Sequence, residues 1–344
     1  MKKRMRIKYA VFTVLFIMIL TALSLGLIIA ADMYYHNKFL QHHGLNYRGY
    51  RGRVVGSKRG NEIRIIMLGG SSAFGYGVHY NEALPYRLEE ELQNYCNSNG
   101  INKKVTVINL GYNNEGAYAF YFNLKDFLYL KYDYVIFYDG YNDLGIGNVT
   151  VYRHSNPVFR AFKYMPILPL IIEEKKMVLQ SGGRLEDMYL GKKIVFTPSP
   201  KEKIQINILN SALKVYNTFD NFANRVSRVS DKEFDMGQIK KDKWAWYKYY
   251  MKKAIDFALG CDKKAVVITQ PYISDEHREQ QGSLKKTIFN TYKDNKNFLY
   301  LNLGEAISLK EGLLTFDGMH LNADGCKKMA AIIAQKIEGY VIGK

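Results

Sequence analysis

The chain has 344 residues, of which 47% are apolar and 14% aromatic, and its formal net charge is +17. This apolar content supports one large domain or two small ones and excludes an intrinsically disordered chain. Three cysteines are too few for a disulfide-stapled scaffold, although one bridge remains possible in an oxidising compartment. No Cys-x-x-Cys pair indicates zinc or redox chemistry, and no nucleic-acid motif accompanies the basic charge.

The N-terminus combines a basic cluster with a long apolar run. Residues 1–8 carry five Lys and Arg side chains and no acid, and residues 9–31 carry no charge. As a helix, the apolar run would span roughly 34 Å, enough to cross a bilayer hydrocarbon core of about 30 Å. A cleaved signal peptide is the alternative, but its apolar region is usually only about 7–15 residues long. The pattern predicts a cytoplasmic tail over 1–8, a transmembrane anchor over 9–31, and an extracytoplasmic remainder.

Residues 32–60 are rich in Gly, Arg, Tyr and His without periodicity, which predicts a stalk. With five positive charges in the N-terminal tail, the rest of the chain keeps a formal charge of +12. A basic domain beside a membrane concentrates anionic polymers and phospholipid headgroups. Without a nucleic-acid motif, however, a solvated lysine-rich surface is the favoured interpretation of this charge. The expected partners are an acylated small-molecule or glycan substrate and, through the N-terminal helix, the membrane, with no nucleic acid.

From residue 61 onward, short apolar runs alternate with helical patterns. Amphipathic spacing predicts helices near residues 84–95, 120–128 and 325–337. The runs between them have the length and residue types of buried parallel strands, and they are Ile63 to Leu68, Val105 to Leu110, Tyr134 to Tyr138, Ala265 to Thr269 and Phe298 to Leu303. This alternation predicts an α/β fold, a three-layer α/β/α sandwich around a five-stranded parallel sheet, over residues 61–344.

Residues from about 145 to 241 do not follow this alternation. They contain two Pro-bearing segments and a predicted helix from Ile204 to about Val229. An insertion on the edge of a site commonly forms a lid or a substrate-binding cap. The alternative is a structural excursion that covers a face of the sheet, and the sequence leaves both interpretations open.

Four short motifs carry residues typical of catalysis, and three of them follow predicted strands. They are Gly69 to Gly75, Gly111, Gly140 to Asp143, and Asp317 to His320. In an open parallel sheet, ligands bind beyond the carboxyl ends of the strands, where neighbouring connections leave to opposite faces. If the first strand lies between the second and third, Ser71, Gly111 and Asn142 converge on one crevice.

These residues supply the parts needed for serine-based acyl transfer. We expect Ser71 to be the nucleophile, His320 the general base, and Asp317 the carboxylate that orients the imidazole. The predicted donors to an oxyanion are the amides of Ser71 and Gly111 and the side chain of Asn142. Ser72 is the competing nucleophile.

Together the motifs resemble those of the SGNH hydrolase superfamily, the GDSL-type esterases and lipases. In that family the serine block reads Gly-Asp-Ser followed four residues later by Gly, and Gly69, Gly70, Ser71 and Gly75 occupy those places. Gly70 thus replaces the usual Asp, which removes a carboxylate but keeps the turn. The spacing to Gly75 also favours Ser71 over its neighbour as the nucleophile. The resemblance covers the chain from about residue 61 to the C-terminus, except for the insertion.

The resemblance implies a flavodoxin-like fold, catalysis without a cofactor, and supporting positions around the triad. Those supporting positions are Gly70, Gly140 and Asp143. A metal site built from Asp139, Asp143, Asp317 and His320 is the minor alternative. The aromatic run over residues 244–250 could stack on sugars, contact a bilayer edge or pack in the core. Surface positions are expected for the other histidines, His36, His42, His43, His79, His154 and His277.

The sequence therefore predicts a membrane-anchored extracytoplasmic serine esterase. The leading substrate is an acyl ester, above all an O-acetyl group, on a cell-surface glycan, because of the location and the charge. An O-acyltransferase to such a glycan, a lipase or lysophospholipase, and a catalytically inactive binding module are the alternatives, the last being the least favoured.

Overall fold

The computed structural model describes residues 2–39, 44–145, 147–183, 196–226, 234–309 and 313–343. The chain divides into two compact units. The N-terminal unit comprises Met1–Lys38 and Pro166–Asn221, and the α/β unit comprises Phe39–Met165 and Phe222–Lys344. The insertion predicted over 145–241 is divided between these units, and its role as a lid or cap stays a prediction.

The strands are β1 (Glu62–Leu68), β2 (Lys104–Asn109), β3 (Tyr134–Asp139), β4 (Lys264–Thr269) and β5 (Phe298–Leu301). The helices are α1 (Lys2–Phe39), α2 (Ser71–Phe74), α3 (Leu84–Ser98), α4 (Ala117–Asp126), α5 (Tyr152–Ser155), α6 (Pro157–Phe162), α7 (Leu168–Ser181), α8 (Pro200–Val226), α9 (Ala245–Gly260), α10 (Asp275–Tyr292) and α11 (Ala323–Ile342). Short 3-10 turns occupy Leu128–Leu130, Tyr141–Asp143 and Met236–Lys240.

The sheet of the α/β unit has five strands in the order β2-β1-β3-β4-β5, and every pairing is parallel. Helices α4, α9 and α10 pack on one face through a cluster that includes Phe120, Tyr250 and Leu284. Helices α3 and α11 pack on the other face through a cluster that includes Leu88 and Ile333. The predicted three-layer α/β/α sandwich is confirmed, because β1 to β4 carry buried apolar side chains toward both helical layers, and the side chains of β5 at the edge are partly buried against both.

The aromatic run at the start of α9 belongs to this core. Trp246, Tyr247 and Tyr250 are each at most 8% exposed and pack in the same cluster as α4. Tyr118 stacks on Trp246 with ring centroids 5.8 Å apart. Of the three interpretations of these rings, the structure therefore supports packing in the core.

The N-terminal unit contains a helix that is long and apolar enough to cross a membrane. Its candidate span is Lys8–Phe39, with a mean hydropathy of 2.7 in its most apolar window, and none of that window is buried. Near the end of this helix, Asp32 and His36 are buried and form an ion pair with Nε2 and Oδ2 3.2 Å apart. The Asp32 carboxylate also accepts hydrogen bonds from the backbone amides of Ile167 and Leu168, where α7 begins.

Residues 44–55, here called the N-terminal strap, lie within the α/β unit. The sequence predicts a stalk over 32–60, and the structure differs, because Leu45, Asn46, Tyr50 and Arg51 are each at most 5% exposed. The strap forms an antiparallel bridge between Leu45 and Arg51, and Arg51 forms another with Asn109 at the end of β2. Its lack of periodicity reflects an irregular segment that is fixed by tertiary contacts.

Candidate active site

The strand order places three of the motifs at one edge of the sheet. Because β1 lies between β2 and β3, the segments that follow these strands are neighbours. Ser71 begins α2 directly after β1, and the first N–H groups of a helix have no acceptor within the helix. Its hydroxyl and its amide are thus both presented at the carboxyl edge of the sheet.

The three predicted catalytic side chains form a connected chain of hydrogen bonds. Ser71 Oγ lies 2.8 Å from His320 Nε2. On the other side of the imidazole, His320 Nδ1 lies 2.7 Å from Asp317 Oδ2. If the proton resides on Nδ1, where the carboxylate accepts it, Nε2 is free to accept the serine proton. The structure therefore brings together the nucleophile, base and carboxylate that the motifs predict.

The loop that carries Asp317 and His320, here called the acid–base loop, is stabilised by hydrogen bonds between its own residues. Asp317 Oδ1 accepts hydrogen bonds from the amides of Met319 and His320, at 3.0 and 2.8 Å. Thr315 and Leu321 form an antiparallel bridge that closes the loop. Partial burial raises the pKa of Asp317, but the hydrogen bonds from the His320 amide, the His320 imidazole and the Met319 amide outweigh it and hold the pKa below its usual value. Asp317 is therefore a carboxylate at neutral pH.

Two aromatic side chains lie beside this loop. The ring of Tyr76 lies 4.9 Å from the imidazole of His320, centroid to centroid, and Tyr76 is 53% exposed. Phe316, also more than half exposed, packs over Gly77. Exposed aromatic side chains thus lie beside His320, near residues 69–75, the segment here called the nucleophile turn.

Ser72, the competing nucleophile, has a buried hydroxyl that makes no hydrogen bond to His320 or to any other described residue. It is 6% exposed, whereas Ser71 is half-buried. The geometry therefore favours Ser71, in agreement with the spacing to Gly75.

Asn142 reaches the nucleophile turn from the end of β3. Its Nδ2 donates a hydrogen bond of 2.8 Å to the carbonyl oxygen of Glu115, which leaves the second N–H of the amide for a ligand. A methyl group on Gly70 would lie 2.0 Å from Asn142 Nδ2. The absence of a side chain at position 70, where the GDSL pattern has Asp, therefore leaves room for the Asn142 amide against the backbone of the residue before Ser71.

Gly111 is in the predicted place but its amide already has an acceptor. The N–H donates to Asn109 Oδ1 at 3.0 Å, so an oxyanion would have to share or replace that bond. A methyl group on Gly111 would lie 2.5 Å from the amide nitrogen of Phe74, which explains the need for glycine against α2. Ser71 and Asn142 are thus the less encumbered of the three predicted donors.

Gly140 lies two residues before Asn142 in the turn after β3, and side chains of α10 enclose it. Its φ of +147° lies in a region that favours glycine, and a methyl group there would lie 2.7 Å from His277 Nε2. His277 is fully buried, contrary to the expected surface position, and burial lowers its pKa to about 4. Among the other histidines, His36 is also buried, and His42 and His43 lie outside the described residues.

Asp143 supports the site as a structural carboxyl. Its Oδ2 accepts a hydrogen bond of 2.9 Å from the amide of Ala117 in the first turn of α4. Asp139 lies next to it, and both are 3% exposed. The pKa of Asp139 is raised well above its usual value, first by burial and then by the neighbouring Asp143. Burial also raises the pKa of Asp143.

The acidic side chains thus fall into two separate groups. Asp317 serves His320, whereas Asp139 and Asp143 are buried beneath the Asn142 turn. In the part of the chain that the structure describes, no three His, Cys, Asp or Glu side chains are grouped where they could hold a metal ion. All three cysteines are free thiols.

The sequence motifs do not include a buried ion pair near the site, between Arg153 and Glu115. Arg153, fully buried on α5, donates to Glu115 Oε2 and to the carbonyl oxygen of Leu110, both at 2.7 Å. Glu115 also accepts from the Asn123 side chain and the Tyr152 amide. This network fixes the segment whose carbonyl receives the Asn142 amide. No short motif marks it, because its members come from α4, α5 and the loop between β2 and α4.

Neither a protein-family model nor a curated protein sequence matches the chain. Several solved structures are similar to it. A lipase/acylhydrolase from Enterococcus faecalis is 15% identical with a TM-score of 0.42, and the match covers 82% of this chain and 98% of that one. A member of the lipolytic protein G-D-S-L family from Veillonella parvula DSM 2008 is 11% identical with a TM-score of 0.40, over 80% and 97% of the two chains.

A family 3 carbohydrate esterase from Clostridium thermocellum is 13% identical with a TM-score of 0.41, and the match covers 80% of this chain and 94% of that one. The G-D-S-L description is that of the family which the motifs of this chain resemble. Identities and TM-scores this low do not bear on activity or substrate, which depend on the geometry of the site itself.

Proposed function

We propose that this protein is a serine esterase of the SGNH type that acts on an acyl ester. The observation that carries the proposal is the hydrogen-bonded sequence from Ser71 Oγ through the His320 imidazole to Asp317. The proposed donors to the carbonyl oxygen are the Ser71 amide, at the start of α2, and the Asn142 side-chain amide, which lies against Gly70 next to Ser71 in the chain.

In the proposed reaction, the Ser71 hydroxyl attacks the carbonyl carbon of the ester while its proton passes to His320 Nε2. The resulting oxyanion accepts hydrogen bonds from the two donors. The C–O bond to the alcohol then breaks as His320 returns the proton to the leaving oxygen, which gives an acyl-Ser71 enzyme. Water, deprotonated by His320, attacks this ester and releases the acid and the free serine.

The nucleophile is tested with the pair Ser71→Ala and Ser72→Ala. The first variant is expected to lose roughly 10⁴-fold or more of kcat/KM on a nitrophenyl ester, because the only nucleophile is removed. The second is a matched control and should remain within a few-fold of the wild type. A fluorophosphonate probe is expected to label the wild type and the Ser72→Ala variant. Labelling that survives Ser71→Ala would refute the proposal.

For the substrate, we propose an O-acetyl ester on a cell-surface glycan. Support comes from the basic charge of the chain and the candidate membrane span, which would place the enzyme beside anionic surface polymers. Nitrophenyl esters of increasing acyl length, supplied with and without a glycan acceptor, test this assignment. Preference for acetyl with release of free acid supports an esterase, transfer to the acceptor supports an O-acyltransferase, and preference for long chains supports a lipase.

For the location, we propose that α1 is a retained anchor with its basic end in the cytoplasm and the α/β unit outside. The cluster of Lys and Arg before the apolar run supports this orientation. The full-length protein should stay with membranes through high-salt and carbonate washes, and protease added outside intact cells or spheroplasts should digest the α/β unit. A soluble form that begins near Asp32 would indicate a cleaved signal peptide instead.

A further inference from the structure

The nucleophile turn is bonded by a side chain from outside the four motifs. Arg51, on the N-terminal strap, is 4% exposed and directs its guanidinium at the end of α2. Nη1 donates to the carbonyl oxygens of Phe74 and Gly75, the latter at 2.6 Å, and Nη2 donates to the carbonyl oxygen of Val78. The last carbonyl groups of a helix have no partner within the helix, and here the guanidinium supplies one.

This arrangement needs arginine in particular. A guanidinium presents several N–H donors in a fixed plane, whereas a lysine ammonium is a compact charge on a flexible stem. The guanidinium also lies over the ring of Phe74, 4.4 Å from its centroid. Burial lowers the pKa of Arg51 to about 10, which leaves the group cationic at neutral pH.

The turn is shaped to receive this side chain. Gly75 has a φ of +86°, and a methyl group there would lie 2.8 Å from Arg51 Nη1. The glycine four residues after Ser71 therefore serves two purposes, a left-handed helix end and a close approach of the guanidinium. The requirement for Gly75 and the position of Arg51 are parts of one packing arrangement.

The backbone of the same residue connects the turn to the segment that carries Gly111. The Arg51 amide donates to the carbonyl oxygen of Asn109 at 3.1 Å. The Asn109 side chain in turn donates to the Phe74 carbonyl at 3.0 Å and accepts from the Gly111 amide. Arg51 and Asn109 thus fix the end of α2 against the end of β2, which sets the direction of the helix on which Ser71 stands.

We propose that Arg51 is a positioning residue for the Ser71 nucleophile, a role that rests on the proposed esterase activity. It acts by holding α2 so that the Ser71 hydroxyl stays within hydrogen-bond distance of His320 Nε2. A displacement of about 1 Å in a catalytic geometry can cost roughly 100-fold in rate. Loss of the guanidinium should therefore reduce turnover more than substrate affinity.

The experiment compares Arg51→Met and Arg51→Lys with Arg53→Met in the full-length protein in detergent. Arg53 is the matched control, since it lies on the same strap but its side chain is 52% exposed and pairs with Glu89. Active sites are counted by fluorophosphonate titration, so that misfolded molecules do not enter kcat. We expect kcat per titrated serine to fall roughly 30- to 100-fold in Arg51→Met and less in Arg51→Lys, with KM changed less than about threefold. Arg53→Met should stay within about twofold of the wild type.

Two further readouts separate positioning from stability alone. The loss in Arg51→Lys should be the same across the pH range, because the residue sets a position rather than a protonation state. If kcat per titrated serine is unchanged in Arg51→Lys while its Tm falls, Arg51 is only structural and the inference is overturned. Should Arg51→Met fail to fold, Arg51→Lys decides the question. Failure of the wild type to react with the probe at Ser71 would instead reject the esterase proposal.

Discussion

The two halves of the proposed catalytic site are built in different ways. Ser71 stands on a turn whose carbonyl groups are bonded by Arg51 and Asn109, side chains from two other parts of the chain. Asp317 and His320 stand on a loop whose bonds are mostly local, and the Asp317 side chain is 49% exposed. The nucleophile half thus depends on the packing of the α/β unit, whereas the acid–base half depends on a few neighbouring residues.

From this difference we expect substitutions around α2 to alter stability together with activity, and substitutions in the acid–base loop to alter activity alone. A buried side chain that bonds several backbone carbonyls leaves them unsatisfied when it is removed, at a cost of about 1–3 kcal/mol for each buried group. A half-exposed carboxylate has water as a substitute partner. Substitutions in the acid–base loop should therefore separate catalysis from folding more cleanly than substitutions around α2.

The sharpest test of that separation is Asp317→Asn. An amide at this position can donate to His320 Nδ1 and favour the tautomer with its proton on Nε2, which cannot accept the serine proton. We expect kcat/KM to fall about 10³- to 10⁴-fold on a nitrophenyl ester, while the urea midpoint changes little. A loss of less than tenfold would show that the carboxylate is dispensable. A large loss of stability would show that the loop is not self-contained.

A second test concerns the donor that links β3 to the nucleophile turn. Asn142→Ala removes one proposed oxyanion donor and its bond to the Glu115 carbonyl, and we expect kcat to fall about 10²- to 10³-fold. Asn148→Ala is the control, because Asn148 donates to the Asn142 carbonyl but is not a proposed donor to the substrate. If both variants lose activity equally, the loop position matters and the Asn142 amide does not.

A third test concerns Asp139, a buried carboxyl near the Asn142 turn, and its expected effect is a change in stability. The pKa of Asp139 is raised in the folded state, by burial and then by Asp143, so the folded protein binds this proton more tightly than the unfolded chain. The stabilisation from that proton is present below the unfolded pKa of about 3.9 and is lost as the pH rises through the folded value. Asp139→Asn stays neutral at every pH and should lessen this decline.

We therefore expect Asp139→Asn to gain stability relative to the wild type as the pH rises from 5 to 8, by at most about 1.4 kcal/mol per pH unit for one proton, as measured by urea unfolding at each pH. Asp294→Asn, a substitution at an exposed position in the turn after α10, serves as the control and should show no such trend. A gain that does not grow with pH would contradict the raised pKa.

Much of the site could be predicted from the sequence, because the parallel sheet brings the ends of its strands together. Ser71, Asn142 and the pair Asp317 and His320 each lie in a short local motif, and strand order alone makes the first two neighbours. The acid–base loop is also local, since Asp317 bonds residues two and three positions further along. Short-range patterns of this kind can be recognised from the sequence alone.

The remaining features depend on contacts that no local pattern records. Arg51 lies in a segment without periodicity, and its partners are more than twenty residues away. The Gly111 amide has an acceptor in Asn109, which adds a competitor to its predicted oxyanion role. His277 occurs in a polar helical stretch, yet the turn around Gly140 buries it. In each case tertiary packing decides the outcome.

The N-terminal strap also determines where a usable catalytic fragment can begin. A sequence-based design would start near residue 61, just before β1, and would discard the strap as a tether. Such a fragment would lack Arg51, the bridge to Asn109, and the Gly49 carbonyl that accepts from Arg153. For secretion, crystallisation or immobilisation, a shortened protein should therefore begin upstream of Gly44, because the N-terminal strap is part of the folded α/β unit and not a tether outside it.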